Sequence, residues 1–174
     1  MSNQHAGGEF SHVIDLRHYE DGPLNLTATP QQCKDLARRF DLRVVKHLSV
    51  KLTLLREGPV VTATGRMQAA IVQACAISGE DLPVSINEAL KLRFVPESTA
   101  AIEPDDEIEI TETDCDEIPF ADNRFDLGEA VAQSLGLAFD PYAEGPEAEA
   151  VRASGLLGLE NTSPFAALAA LKKD

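Results

Sequence analysis

Aromatic residues make up only 5% of the 174 residues. No Arg-rich tract is interleaved with them, so a stacking platform for single-stranded nucleic acid is not expected. Cysteines are few as well. Cys33, Cys75 and Cys115 are odd in number and stand 40 or more residues apart, without the spacing of a disulfide framework, which favours reduced, intracellular thiols. No stretch approaches the roughly 18–20 uninterrupted apolar residues of a membrane span. Met1–Ser11 has neither the basic nor the apolar region of a signal peptide. The expected location is the cytoplasm, with no membrane partner.

Chemistry-bearing motifs are absent too. His5, His12, His18 and His47 form no HxH or HxxxH pair, and a metal site needs convergent ligands. Asp105, Asp106, Asp114 and Asp116 lack the glycine and the alternate ligands of a calcium loop. There is no GxSxG elbow, no Walker loop and no GxGxxG. Cys75, flanked by Ala74, Ala76 and Ile77, reads as a buried packing thiol. The expectation is a protein without catalytic residues, metal, cofactor or small-molecule substrate.

What the chain does have is length for one domain and 44% apolar residues, enough for a core. It also has a lopsided charge. The net charge is −14, but Met1–Pro96 sums to +1 and Glu97–Glu160 to −16, with only Arg124 and Arg152 as cations. Glu103–Glu117 alone carries nine carboxylates, a block that repels phosphate. The opposite pole, Gln31–Arg56, sums to +5. It reads as solvated surface, as a face that pairs internally with the acidic block, or as a small patch that meets phosphate or an acidic partner.

Periodicity supplies the elements. Val13 and Ile14 mark a short strand, and Leu24–Thr27 alternates like another. Thr29-Pro30-Gln31-Gln32 opens a helix with a capping box and Pro at the first position, and Cys33, Leu36, Ala37 and Phe40 form its apolar stripe. Leu48, Val50, Leu52 and Leu54 share one strand face, with Ser49, Lys51 and Thr53 on the other. Val60–Ala76, with a bulge expected at Gly65, and a strand carrying Val84, Ile86, Leu90, Leu92 and Phe94 complete an antiparallel meander. Ile108 and Ile110 suggest a charged edge strand. Asp126–Glu129 reads as a second capping box, opening a helix with Leu127, Val131, Leu135 and Ala138 on its apolar face.

The fold class is therefore α+β: a curved antiparallel β-sheet of about five or six strands with two or three packed helices. Residues 1–10 are expected to be disordered, 11–140 to form the domain, and 141–162 to be a mobile acidic, Ala/Gly-rich arm. Residues 163–174 read as a short amphipathic helix whose Phe165, Leu168 and Leu171 would dock on a partner or on the sheet.

Three stretches, in order, resemble a known family: Gly65–Ser78 with its strand running into Cys75, Phe125–Glu129 continuing through Leu135–Pro141, and Ser163–Lys172. The chain resembles the YceD family of large ribosomal RNA subunit accumulation proteins, in an alphaproteobacterial form, from about Val60 to Lys172. Many members of that family carry a CxxC pair after the long strand. Here Ser78 stands at the second position, and one thiolate cannot supply half of a tetrahedral zinc site.

The resemblance implies a non-enzymatic bacterial ribosome-biogenesis factor that supports accumulation of large-subunit (23S) ribosomal RNA. The partner would be a ribosomal protein or a pre-ribosomal particle. The other reading is an acidic adaptor or chaperone-like protein for a basic client unrelated to the ribosome. Candidate contacts for phosphate, including direct rRNA contact, or for an acidic partner are Arg38, Arg39, Arg43 and Lys46. Those for a basic partner are Asp105, Asp106, Glu107 and Glu109.

Overall fold

The structure, a computed structural model, describes residues 9–97 and 117–154. The elements follow in chain order as β1 (Val13–Asp15), β2 (Gly22–Thr27), α1 (Pro30–Arg39), β3 (Val44–Glu57), β4 (Val60–Ala74), β5 (Asp81–Pro96), β6 (Glu117–Phe120), β7 (Arg124–Asp126), α2 (Leu127–Leu137) and α3 (Ala148–Ala153). Five strands form one open sheet in the order β2-β3-β4-β5-β6, and β1 pairs with β7 in a two-stranded ribbon. The class is α+β.

The meander is built by its turns. Gly58, at φ 62°, closes the β3–β4 hairpin with Pro59 beside it, a position that favours glycine. From that closing pair the register runs back unbroken from Glu57–Val60 to His47–Ala70, with one irregularity between Val45 and His47. The bulge therefore lies at Lys46 and not at Gly65. A Cβ at Gly65 would collide with the carbonyl oxygen of Lys51 on β3, so this glycine serves to permit close backbone approach.

The sequence suggests a wholly antiparallel sheet, and the structure departs from that at one edge. β6 lies parallel to β5, with Arg93 beside Glu117 and Pro96 beside Phe120. A parallel neighbour needs a crossover of a dozen or more residues, and the stretch between Pro96 and Glu117 is long enough to supply it. Pro119 is tolerated because β6 is an edge. The strand expected at Ile108 and Ile110 lies outside the described residues.

One face of the sheet carries the core. Leu48, Val50, Leu52 and Leu54 of β3, Val61, Ala63, Met67 and Ile71 of β4, and Phe94 of β5 pack with Leu36 of α1 and with Leu127, Val131 and Leu135 of α2. Burying each of these larger side chains stabilises the fold by roughly 1.5–3 kcal/mol. Phe94 stacks on Phe125 at 4.0 Å between centroids.

The helix starts differ. At α1 the box is complete: the Gln32 N–H donates to Thr29 Oγ1 (3.2 Å) and the Thr29 N–H to Gln32 Oε1 (2.9 Å). At α2 only half forms. Asp126 Oδ1 accepts from the Glu129 N–H (3.0 Å) and the His12 N–H (2.8 Å), and Oδ2 from the Ser11 hydroxyl (2.5 Å), so one carboxylate caps α2 and pins the N-terminal segment. Glu129 does not return to the cap, because its carboxylate faces α1.

The stretch 141–162, which the sequence reads as a mobile arm, starts out attached. The Ala76 N–H donates to the Ala143 carbonyl (3.0 Å) and the Glu147 N–H to Glu80 Oε1 (2.8 Å), and Ala148 is buried. Residues 1–8 and 155–174, including Phe165, Leu168 and Leu171, lie outside the described residues. No helix among the described residues is long and apolar enough to cross a membrane.

Candidate functional site

Arg38, Arg39, Arg43 and Lys46 are adjacent in sequence, and the fold divides them. Positions 30, 33, 34, 37 and 38 share one face of α1. Pro30, Cys33, Lys34, Ala37 and Arg38 there face Leu42–Lys46 across an open groove of about 620 Å³. Its floor is apolar, with Cys33, Ala37, Leu42 and Val45 buried, and its rim carries Lys34, Arg38, Arg43 and Lys46. Burial pushes the Cys33 thiol up, against a hydrogen bond from the Leu48 backbone. β2 pairs with β3 only from Ser49 to Leu54, so Val44–His47 have no ladder partner on that side.

Two of the four rim cations already have company. Arg38 lies 3.4 Å from Asp35, and Arg43 lies 3.5 Å from Asp81 and donates to the Gly79 carbonyl (3.4 Å). Arg39 is not in the groove at all. Its guanidinium forks onto both oxygens of Glu129 (2.8 and 2.6 Å) and reaches Glu9 (3.1 Å). Only 28% of its side chain is exposed. Arg39's hydrogen bonds, helped by Gln133, hold the Glu129 carboxyl below its ordinary value against partial burial. Arg39 therefore ties α1 to α2, a structural bond between two helices. Asp105, Asp106, Glu107 and Glu109 lie outside the described residues.

A second set of cations escapes the sequence reading. On the outer face of the meander, opposite the core, the register places Lys51 directly across from Arg66, with Asn25 on the other side of Lys51 and Ala89 on the other side of Arg66. One step along, Thr53, Thr64 and Lys91 form the next row, so Lys91 sits diagonal to Arg66. All three cations are exposed. Among the described residues none has an ion-pair partner; Arg66 donates only to Asn87 Oδ1 (3.1 Å). Arg93, further along the same face, pairs with Glu117 at 3.2 Å. The signal for the first pair was present: with Gly58-Pro59 as a two-residue loop, Lys51 and Arg66 each stand six residues back from the closing pair Glu57–Val60.

Cys75 is buried at 3% exposure but is more than packing. Its Sγ accepts from the backbone N–H groups of Ile77 (3.4 Å), Ser78 (3.3 Å) and Gly145 (3.3 Å). The Ser78 hydroxyl foremost, then these N–H groups, bring the thiol down to about 7 against the effect of burial. Among the described residues no three His, Cys, Asp or Glu side chains gather as a metal site would require.

Residues 63–172 match the family model described as large ribosomal RNA subunit accumulation protein YceD, and the chain belongs to that family. The match begins on β4 and so takes in the turn at Cys75, β5, β6 and α2. Neither the curated proteins nor the solved structures gave a match. The family's name attaches this bacterial fold to ribosome biogenesis through the large-subunit ribosomal RNA.

Proposed function

We propose that this member of the YceD family is a non-enzymatic ribosome-biogenesis factor that supports accumulation of large-subunit (23S) ribosomal RNA in the cytoplasm by binding a ribosomal protein or a pre-ribosomal particle. The observation that carries the reading is the family match over residues 63–172. The segregation of charge supports binding as the mode of action. A segment of net −16 follows a half of net +1, and surfaces of opposite sign suit a particle that contains both RNA and basic proteins.

The test pairs a deletion strain with an affinity pull-down from native cytoplasm at low and moderate salt. The expected result is a selective fall in large-subunit RNA in the strain, and large-subunit RNA or its proteins on the bait above a charge-matched control. Unchanged RNA levels together with capture of unrelated basic proteins would replace this reading with that of an acidic adaptor, which the −16 segment also fits.

A further inference from the structure

The outer face of the meander stands apart from the rest of this acidic chain. Lys51 and Arg66 are directly opposed across β3 and β4, with Cβ atoms about 5 Å apart in such pairs, and like charges so placed destabilise a sheet. Lys91 adds a third positive charge on the diagonal, a position about 7–8 Å away. Between the ends of the strands the face carries no carboxylate of its own. Glu57 and Asp81 mark the two ends, and Glu117 is occupied by Arg93. Around the three cations stand Asn25, Ser49, Thr53, Thr64, Gln68 and Asn87, all uncharged hydrogen-bonding groups, with Ala89 beside Arg66 and the exposed Leu55 beyond Thr53.

We propose that this face binds the sugar–phosphate backbone of RNA, with Lys51, Arg66 and Lys91 on phosphates and the flanking amides and hydroxyls on phosphate and ribose oxygens. A bound polyanion removes the repulsion that the three cations impose on one another. An acidic peptide fits less well. Lys51 and Arg66 stand on strands paired on both sides, so no edge is open there for strand addition. The absence of aromatic residues between these cations points to backbone contact on helical RNA without base reading. The net charge of −14 does not forbid this, because exposed charges are screened beyond about 8 Å at physiological ionic strength. The polyanion chemistry comes from the face itself, and the choice of RNA among polyanions rests on the proposed function above.

The experiment measures anisotropy of a fluorescent RNA duplex with the full chain at 50 and 200 mM salt. Three phosphate contacts predict about a 40-fold loss of affinity over that range. Lys51→Gln, Arg66→Gln or Lys91→Gln each lowers the salt slope by about 1, and the triple variant removes binding. Arg38→Gln/Lys46→Gln, on the groove rim, leaves it as in the wild type. Binding by the triple variant equal to wild type overturns the proposal, as does displacement of the RNA by polyglutamate of equal charge. Denaturation midpoints of the variants, expected unchanged or higher, show that loss of binding is not loss of fold. RNA levels in the deletion strain separate the two claims. Duplex binding with unchanged levels leaves the face and removes the ribosomal role; absent binding with lowered levels does the reverse.

Discussion

Arg39 and Arg66 are both arginines of the basic half of the chain, and they meet opposite surroundings. Arg39 closes two hydrogen bonds on Glu129 and a third on Glu9, lies over the Phe40 ring at 5.3 Å, and joins two helices. Arg66 stands opposite Lys51 on an exposed sheet face and finds a single amide oxygen. Among the described residues, Arg38, Arg39 and Arg43 of the densest cationic run in the sequence are thus paired from within, while Lys46 is not. By contrast, Lys51, Arg66 and Lys91, scattered over 40 residues, converge without an ion-pair partner among the described residues. Proximity in sequence ranks charge density; strand register decides which charges remain free for a partner.

The largest expected effect comes from breaking the register that makes this contrast. Gly65→Ala places a methyl group against the Lys51 carbonyl, which is backbone and cannot swing aside. A loss of about 3 kcal/mol is expected, read as a lower urea midpoint, with weakened amide protection along β3 and β4. An unchanged midpoint would show that the two strands separate more easily than their pairing implies.

Next in size is the tied arginine. Arg39→Ala removes a forked charge-assisted pair in a half-buried setting and is expected to cost about 1–2 kcal/mol. Arg38→Ala, one residue away and mostly exposed, should stay within about 0.5 kcal/mol. Equal effects from the two substitutions would dissolve the distinction between an internal tie and a rim cation.

A pH slope follows. The turn that receives Arg43 at Gly79 is closed around Cys75, whose thiol titrates at about 7 in the fold against an ordinary 9. A lowered value means stability that is complete above about 9 and is lost as pH falls through 7. The difference in stability between wild type and Cys75→Ala should therefore widen from pH 7 to 9 and stay flat below 7. A difference independent of pH would leave Cys75 as packing alone.

Much of the architecture was legible because local rules and burial agreed. The Thr29–Gln32 box, the period-two run at Leu48–Leu54 and the apolar stripe Leu127–Val131–Leu135 each point to the element that forms. What was not legible depends on partners far away in sequence. Asp126 and Glu129 look like a capping box, but Arg39, 90 residues earlier, takes the Glu129 carboxylate. β6 joins β5 in parallel, and no local pattern carries that direction. Gly65 invites a bulge by propensity, yet the backbone of Lys51 is what requires it. The Lys51–Arg66 pair follows from the two-residue hairpin loop, but Lys91 does not, because the turn from Cys75 to Glu80 leaves the β4–β5 register open.

The smallest effect discriminates most sharply. Lys51→Glu turns a like-charge cross-strand pair into an opposite-charge one, and such pairs are worth roughly 0.2–1 kcal/mol. The fold should therefore become more stable by about 0.5 kcal/mol, seen as a small rise in urea midpoint that shrinks in high salt. RNA binding by the same variant should fall sharply, since a carboxylate now faces the phosphates. Few substitutions raise stability while removing binding, and a merely solvated lysine would do neither. A midpoint that drops, with RNA affinity intact, would mean that Lys51 and Arg66 do not repel each other across the strands, and the contrast with Arg39 would lose its physical basis.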